Sequence, residues 1–259
     1  MSPHQIASSN RRMVVAIIAM VVVWAIVMLQ RNAIRARWWE YKLVRVEALE
    51  DRARYLALLA NLGDRALPAA ERLLHSEDAS ARSYGLVILN QASSPRAGQL
   101  LRRAAADPDP DIRRGAVRGL GARGDLAALA EIVQSSDSLA ACAAVEALAS
   151  IGSAEAIEVL IAQASQHPLV NVRVQAIECL GELEAAQAVG VLTDCLEDGT
   201  VFEGATLAER SAARVIQAAS PGQPVEWPGS RTVADFAAAA LERITGRPRA
   251  TEVGHSDTS

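Results

Sequence analysis

An arginine stands seven residues before a leucine four times in this chain: Arg52 and Leu59, Arg82 and Leu89, Arg113 and Leu120, Arg173 and Leu180. A fifth copy ends at Leu148 and carries Ala141 in the arginine's place. The third residue after each of these positions is Tyr55, Gly85, Ala116, Ala144 or Ala176, and the leucines recur every 28 to 32 residues. Units of this size cannot bury their apolar faces alone, so they stack on one another. The expected product is an all-α solenoid, an extended surface rather than an enclosed pocket, which favours a binding scaffold over an enzyme.

Composition agrees with helices. Alanine, leucine and arginine dominate, aromatics make up only 3%, and β-branched runs are confined to one N-terminal stretch. A hydrophobic content of 51% over 259 residues is enough for a packed core. Cys142, Cys179 and Cys195 are odd in number and lie inside helical patterns, so they read as buried free thiols rather than a disulfide framework.

Met13 to Leu29 forms an uncharged run of seventeen residues, MVVAIIAMVVVWAIVML, between Arg12 and Arg31. As a helix it would extend about 26 Å, slightly short of a hydrocarbon core of about 30 Å, with Gln30 and the arginine stems making up the difference. A cleaved signal peptide would have a shorter apolar region ending in small residues. We therefore expect one transmembrane helix over 13–30 after a short polar tail over 1–12. A basic and aromatic juxtamembrane segment follows over 31–46. Arg12, Arg31, Arg35, Arg37, Trp38, Trp39 and Tyr41 are the expected membrane-interface residues. Arg11 and Arg12 precede the span and Arg31, Arg35, Arg37, Lys42 and Arg45 follow it. This bias puts the repeat domain on the cytoplasmic side, with an extracytoplasmic placement as the alternative.

Charge is divided along the chain. Residues 1–45 hold 7 of the 26 basic side chains and one acid, Glu40, for a net +6, so the remainder is −10. An acidic repeat domain is repelled by phosphate backbones, which argues against nucleic acid and for a basic or neutral protein partner.

Within the repeats, Pro68 suits a first helical turn, and Asp107, Asp109, Asp111, Asp78 and Asp137 supply capping carboxylates. Gly63, Gly121 or Gly124, Gly152 and Gly181 provide the stops. The runs from Ile112 to Gly121 and from Val172 to Gly181 resemble the second helix of HEAT repeats, particularly the short bacterial HEAT-like repeats also found in phycobilin lyases. The resemblance covers about Glu47 to Gly246, giving a solenoid over 47–246 and a polar, disordered tail over 247–259. It implies paired antiparallel helices in an α-α superhelix. First helices fall near 64–75, 95–106, 124–135, 153–165 and 184–196, and second helices near 79–91, 109–121, 138–150, 169–182 and 206–218. It also implies a ladder of acids and arginines between repeats, mapping onto Asp78 with Arg82 and Asp109 with Arg113. That ladder is broken at Ala141 and at Asn171.

Positions one, two and five after the arginine point away from both neighbours by helical spacing. The candidate partner-binding residues are therefore Tyr84, Arg114, Arg118, Glu146, Gln175 and Glu178. Trp227, in the loop from Ser220 to Arg231, is either a cap on the open end or an exposed anchor. His4, His75, His167 and His255 are scattered, and no metal, phosphate-loop or nucleophile motif is present. Asp107, Asp109 and Asp111 lack the glycine and distal glutamate of a calcium loop. The expectation is a membrane-anchored scaffold, not an enzyme, with no cofactor. A lyase- or chaperone-like role in chromophore attachment or protein modification is the alternative.

Overall fold

The computed structural model of the chain describes residues 20–24, 30–203, 206 and 231–246. The expected span over 13–30 lies mostly outside the described residues. Of it, residues 20–24 are helical and exposed. Among the described residues no helix is long and apolar enough to cross a membrane. The chain divides into two compact units between Leu100 and Leu101.

The first unit holds α1 (30–45), α2 (Leu49–Ala60), a 3-10 turn over Gly63–Ala66, α3 (Leu67–Leu74), α4 (Ala79–Gln91) and the start of α5 (Pro95–Ala104). The sequence explains the ends. Pro68 occupies the first turn of α3, where its missing N–H costs nothing. Asp78 caps α4 by accepting from the Ser80 N–H at 2.9 Å. Asp64 accepts the Ser93 and Ser94 N–H groups at 3.1 and 3.0 Å, which braces the start of α5. The core is Leu59, Leu73, Ile88 and Leu89, each such side chain contributing about 1.5–3 kcal/mol by burial. At the crossing of α3 and α4 the small residue is Gly85, where a Cβ would stand 3.1 Å from the Ala70 carbonyl oxygen.

The stretch 31–46, expected as a segment apart from the repeats, packs into this unit. Ala36 and Leu43, two turns apart on α1, are buried. Trp38 meets Tyr55 of α2 edge to face with ring centroids 5.9 Å apart, and Arg72 Nε of α3 donates to Glu40 at 2.9 Å. Tyr55 holds the repeat position that Ala116, Ala144 and Ala176 hold elsewhere.

The second unit contains α6 (Pro110–Ala122), α7 (Leu126–Val133), α8 (Ser138–Ile151), α9 (Ala154–Gln166), α10 (Val170–Glu182), α11 (Val189–Asp194) and α12 (Val233–Thr245). Its second helices α6, α8 and α10 fall within a residue of the ranges implied by the HEAT-like resemblance, and Ala116, Ala144 and Ala176 are fully buried. The first helix expected near 184–196 is broken instead. It consists of a 3-10 turn at Ala186–Ala188, a short α11 and another 3-10 turn at Cys195–Glu197. The second helix expected near 206–218 lies outside the described residues.

Asp109, Asp125, Asp137 and Ser153 cap α6, α7, α8 and α9 with their side chains. Leu169 holds that place on α10 and has no side-chain cap. Gly124 and Gly152, eleven residues after Arg113 and Ala141, adopt φ of 67° and 61° to turn the chain. Gly181, expected as a stop, and Gly121, the alternative to Gly124, instead sit inside α10 and α6, where a Cβ would come within 2.9 Å of Ala240 and 2.7 Å of Ala147. They set helix spacing rather than helix ends.

The C-terminal closure is made by α12. A two-stranded antiparallel pair, β1 (Val201–Phe202) and β2 (Arg231–Thr232), brings Phe202 to Phe236 at 5.7 Å, and the Arg231 guanidinium covers Phe236 at 4.4 Å. Thr232 and Asp235 form a reciprocal capping box that starts the helix. Trp227, the expected cap or anchor, lies outside the described residues.

Candidate partner-binding groove and the ladder beneath it

Each ladder arginine first binds its own turn. Arg82 Nη1 donates to the carbonyls of Ser76 and Glu77, both at 3.0 Å. Arg113 Nη1 donates to Asp107 and Pro108 at 2.8 and 2.9 Å, and Arg173 Nη1 to His167 at 3.1 Å. In the second unit the rest of the guanidinium then reaches forward. Arg113 Nε lies 2.5 Å from Asp137 Oδ2, and Arg173 Nη2 donates to Asp198 Oδ2 at 3.1 Å. This corrects the expected pairing of Asp109 with Arg113. Asp109 serves its own helix by accepting from Asp111 and Ile112 N–H groups, and the arginine engages the cap of the next second helix. Asp198 restores the acid where Asn171 appeared to end the ladder.

At Ala141 a different device takes over. The Leu169 N–H donates to His167 Nδ1 at 3.1 Å, so Nε2 carries the ring proton and donates to the Val133 carbonyl at 2.9 Å. Asn171 Nδ2 meanwhile donates to Ser138 Oγ. His167 is 2% exposed, and these bonds satisfy backbone groups that an apolar side chain there would leave orphaned.

First helices are linked as well. Arg102 on α5 donates through Nε and Nη2 to the two carboxylate oxygens of Asp125, the cap of α7, at 2.9 and 2.7 Å, and Gln134 donates to the buried Gln163 of α9 at 3.1 Å. The Arg102 hydrogen bond holds the Asp125 carboxyl below the usual carboxylate range. Burial alone would raise Asp198, but hydrogen bonds from Thr200 and the Arg173 charge hold it low. Burial pushes the Cys179 thiol up to about 12 against a hydrogen bond from Gln175, so it does not act as a nucleophile near neutral pH.

Between α6 and α8 these supports frame an open groove of about 700 Å³. Gly121, Ala143 and Ala147 form a small-residue floor, Arg118 and Arg123 stand on one side, and Glu146, Ser150 and Ile151 on the other. The floor is low because Gly121 lets α8 approach α6 closely. Of the candidate residues, Arg118 and Glu146 meet here, both five positions into their repeats. The others do not join them. Arg114 is half-buried and paired with Asp111 on its own helix, Glu178 is half-buried on α10, and Tyr84 belongs to the first unit. Gln175, expected to point outward, is buried and turned onto Cys179 at 3.7 Å, because α10 is packed by α8, α9 and α12. Arg123, Ser150 and Ile151 were missed. Ser150 lies one turn beyond Glu146, so helical spacing alone places it on the same face, whereas Arg123 and Ile151 lie five residues beyond Arg118 and Glu146 at the helix ends, where spacing gives no signal.

A family model for HEAT repeats matches residues 66–138 and 126–213. The chain belongs to the HEAT-repeat family. No curated protein sequence matches it. Among solved structures, an engineered protein is 19% identical over 80% of this chain and 95% of its own, with a TM-score of 0.38. Human deoxyhypusine hydroxylase in complex with glycerol is 18% identical over 85% and 99%, TM-score 0.33. A designed armadillo repeat protein is 15% identical over 80% and 98%, TM-score 0.35. In this HEAT-repeat chain the groove is formed by consecutive second helices. Among the described residues no cluster of histidine, cysteine and carboxylate side chains is arranged to hold a metal.

Proposed function

We propose that this HEAT-repeat protein is a non-enzymatic scaffold, anchored in a membrane by the apolar run from Met13 to Leu29, that holds an extended segment of another protein in the groove between α6 and α8. The observation that carries the reading is the groove itself. A floor of Gly121, Ala143 and Ala147 accepts an apolar side chain, while Arg118 and Arg123 on one rim and Glu146 on the other meet polar groups to either side. The −10 charge of the chain beyond residue 45 favours a basic or neutral partner and opposes nucleic acid. The excess of basic residues after the apolar run favours a cytoplasmic side for the repeats.

Two measurements test this reading. The full chain is used to select from a displayed library of random peptides, with Arg118→Glu and Glu146→Arg as counter-selections. A motif with one apolar residue between polar ones, lost in both variants while their circular dichroism is unchanged, supports the groove. No enrichment, or a motif indifferent to both substitutions, overturns it. A cysteine at Ser256 and a membrane-impermeant maleimide then test sidedness. Labelling only after lysis supports the cytoplasmic placement, and labelling of intact cells reverses it.

A further inference from the structure

The helix α1 has two faces. One is fixed to the first unit by buried Ala36 and Leu43 and by the Glu40–Arg72 pair. On the other, Ile34, Trp38 and Tyr41 recur at spacings of four and three residues and are 54%, 52% and 53% exposed, Trp38 although its ring also meets Tyr55. Arg31 and Arg35 flank this ridge on one side and Arg37 on the other by helical position. Arg45 stacks on Tyr41 at 4.1 Å, and Lys42 lies 5.7 Å from the Trp38 ring. Beside the ridge a cavity of about 320 Å³ is lined by Arg37, Tyr41, Val44, Arg45, Glu40 and Arg72. It holds three guanidinium groups against one carboxylate, and that carboxylate is already taken by Arg72.

We propose that this face of α1 docks on the surface of a bilayer rich in anionic phospholipid, with Ile34, Trp38 and Tyr41 in the interfacial layer and the phosphates of acidic lipids among Arg31, Arg35, Arg37 and Arg45. The inference rests on the membrane-anchored reading. Three observations make acidic lipid the occupant. Amphipathic aromatic rings between cations suit the headgroup region. The cationic cavity complements phosphate, whereas a repeat domain of −10 does not compete for it. Arg31, the first of the cations that flank the ridge, also follows the apolar run Met13 to Leu29 in the chain after a single residue, Gln30. Because the opposite face is built into the first unit, docking holds that unit at a fixed attitude to the membrane instead of on a loose tether.

The test uses the full chain with Ile34→Cys carrying a polarity-sensitive fluorophore, reconstituted in vesicles of phosphatidylcholine alone or with roughly one quarter phosphatidylglycerol. The native thiols are buried and do not compete for the label. A headgroup-proximal spin-labelled lipid should quench the fluorophore strongly in anionic vesicles and weakly in neutral ones. Arg31→Gln, Arg35→Gln and Arg37→Gln combined should abolish the difference, each charge accounting for about fivefold in docked population. The same label at exposed Glu158 should read as aqueous throughout. A label at position 34 that stays aqueous in anionic vesicles, while the protein floats with them and resists alkaline carbonate, overturns the docking and leaves the anchor intact. Equal quenching in both lipids, unchanged by the arginine substitutions, overturns the anionic selectivity. Failure to float with either vesicle overturns the anchor and the docking together.

Discussion

Arg113 lies 2.5 Å from Asp137, the residue that caps the following second helix, and not against Asp109 four residues before it. One guanidinium therefore closes its own turn through the Asp107 and Pro108 carbonyls and holds the next helix by its cap. Replacing Arg113 with alanine leaves two carbonyls and a partly buried carboxylate without that donor. A loss of about 2–3 kcal/mol is expected, read as a lower urea midpoint with unchanged slope. Asp137→Asn should remove only part of it, and the double variant should lose less than the sum, since both act on one contact.

Glu184 turns the chain at φ 49°, eleven residues after Arg173, where Gly124 and Gly152 serve the equivalent turns. A side chain in the left-handed region costs about 1–2 kcal/mol, part of which glycine returns through its freer unfolded state. Glu184→Gly should stabilise the protein by about 0.5–1 kcal/mol, measured by thermal or urea unfolding.

The Asp125 carboxyl titrates below its ordinary value in the folded protein because of the Arg102 hydrogen bond. A depressed folded value means this group's stabilisation is fully present above the unfolded pKa of about 4. It is lost as pH falls through the folded value. Unfolding midpoints of the wild type should drop across that acid window, and Asp125→Asn should show a shallower drop. Identical pH profiles would contradict the pairing.

Cys142, Cys179 and Cys195 are all buried and free, and burial raises the Cys179 thiol to about 12. A small thiol reagent should modify none of them in the native protein at neutral pH and all of them in urea. Fast native labelling would contradict the packing of α8, α10 and the turn at Cys195.

Much of this was legible because the repeat is periodic. The 28- to 32-residue spacing, the glycine or alanine three positions after the arginine site in four of the five copies and the capping aspartates carried the HEAT-like resemblance from which the helix ranges followed. What spacing cannot show is where a long side chain goes once it leaves its helix. Asp109 was the expected partner for Arg113, and only the stacking of α6 on α8 brings Asp137 to it instead. Gln175 has the outward spacing of a surface residue, yet α10 is packed on several sides and the amide is enclosed. Arg118 and Glu146 were both singled out by spacing and both line the groove, but its floor depends on how closely Gly121 meets Ala147. The same limit applies to α1. Trp38, Tyr41 and the arginines dominate its sequence, and its buried side rests on Ala36, Leu43 and one carboxylate. The closure by Phe202 and Phe236 joins residues far apart in sequence with no periodic signal between them.

The central claim is that the groove between α6 and α8 receives another protein at the membrane. The most direct measurement places a photo-crosslinking amino acid at Arg118 in the full chain, in the membranes of its own cells, with exposed Glu131 on α7 as the control position. The scaffold reading predicts a discrete protein adduct from position 118 that is absent from 131 and is lost when Glu146→Arg is added. The same adducts from both positions, or none from 118 while the protein is folded and membrane-bound, would contradict it.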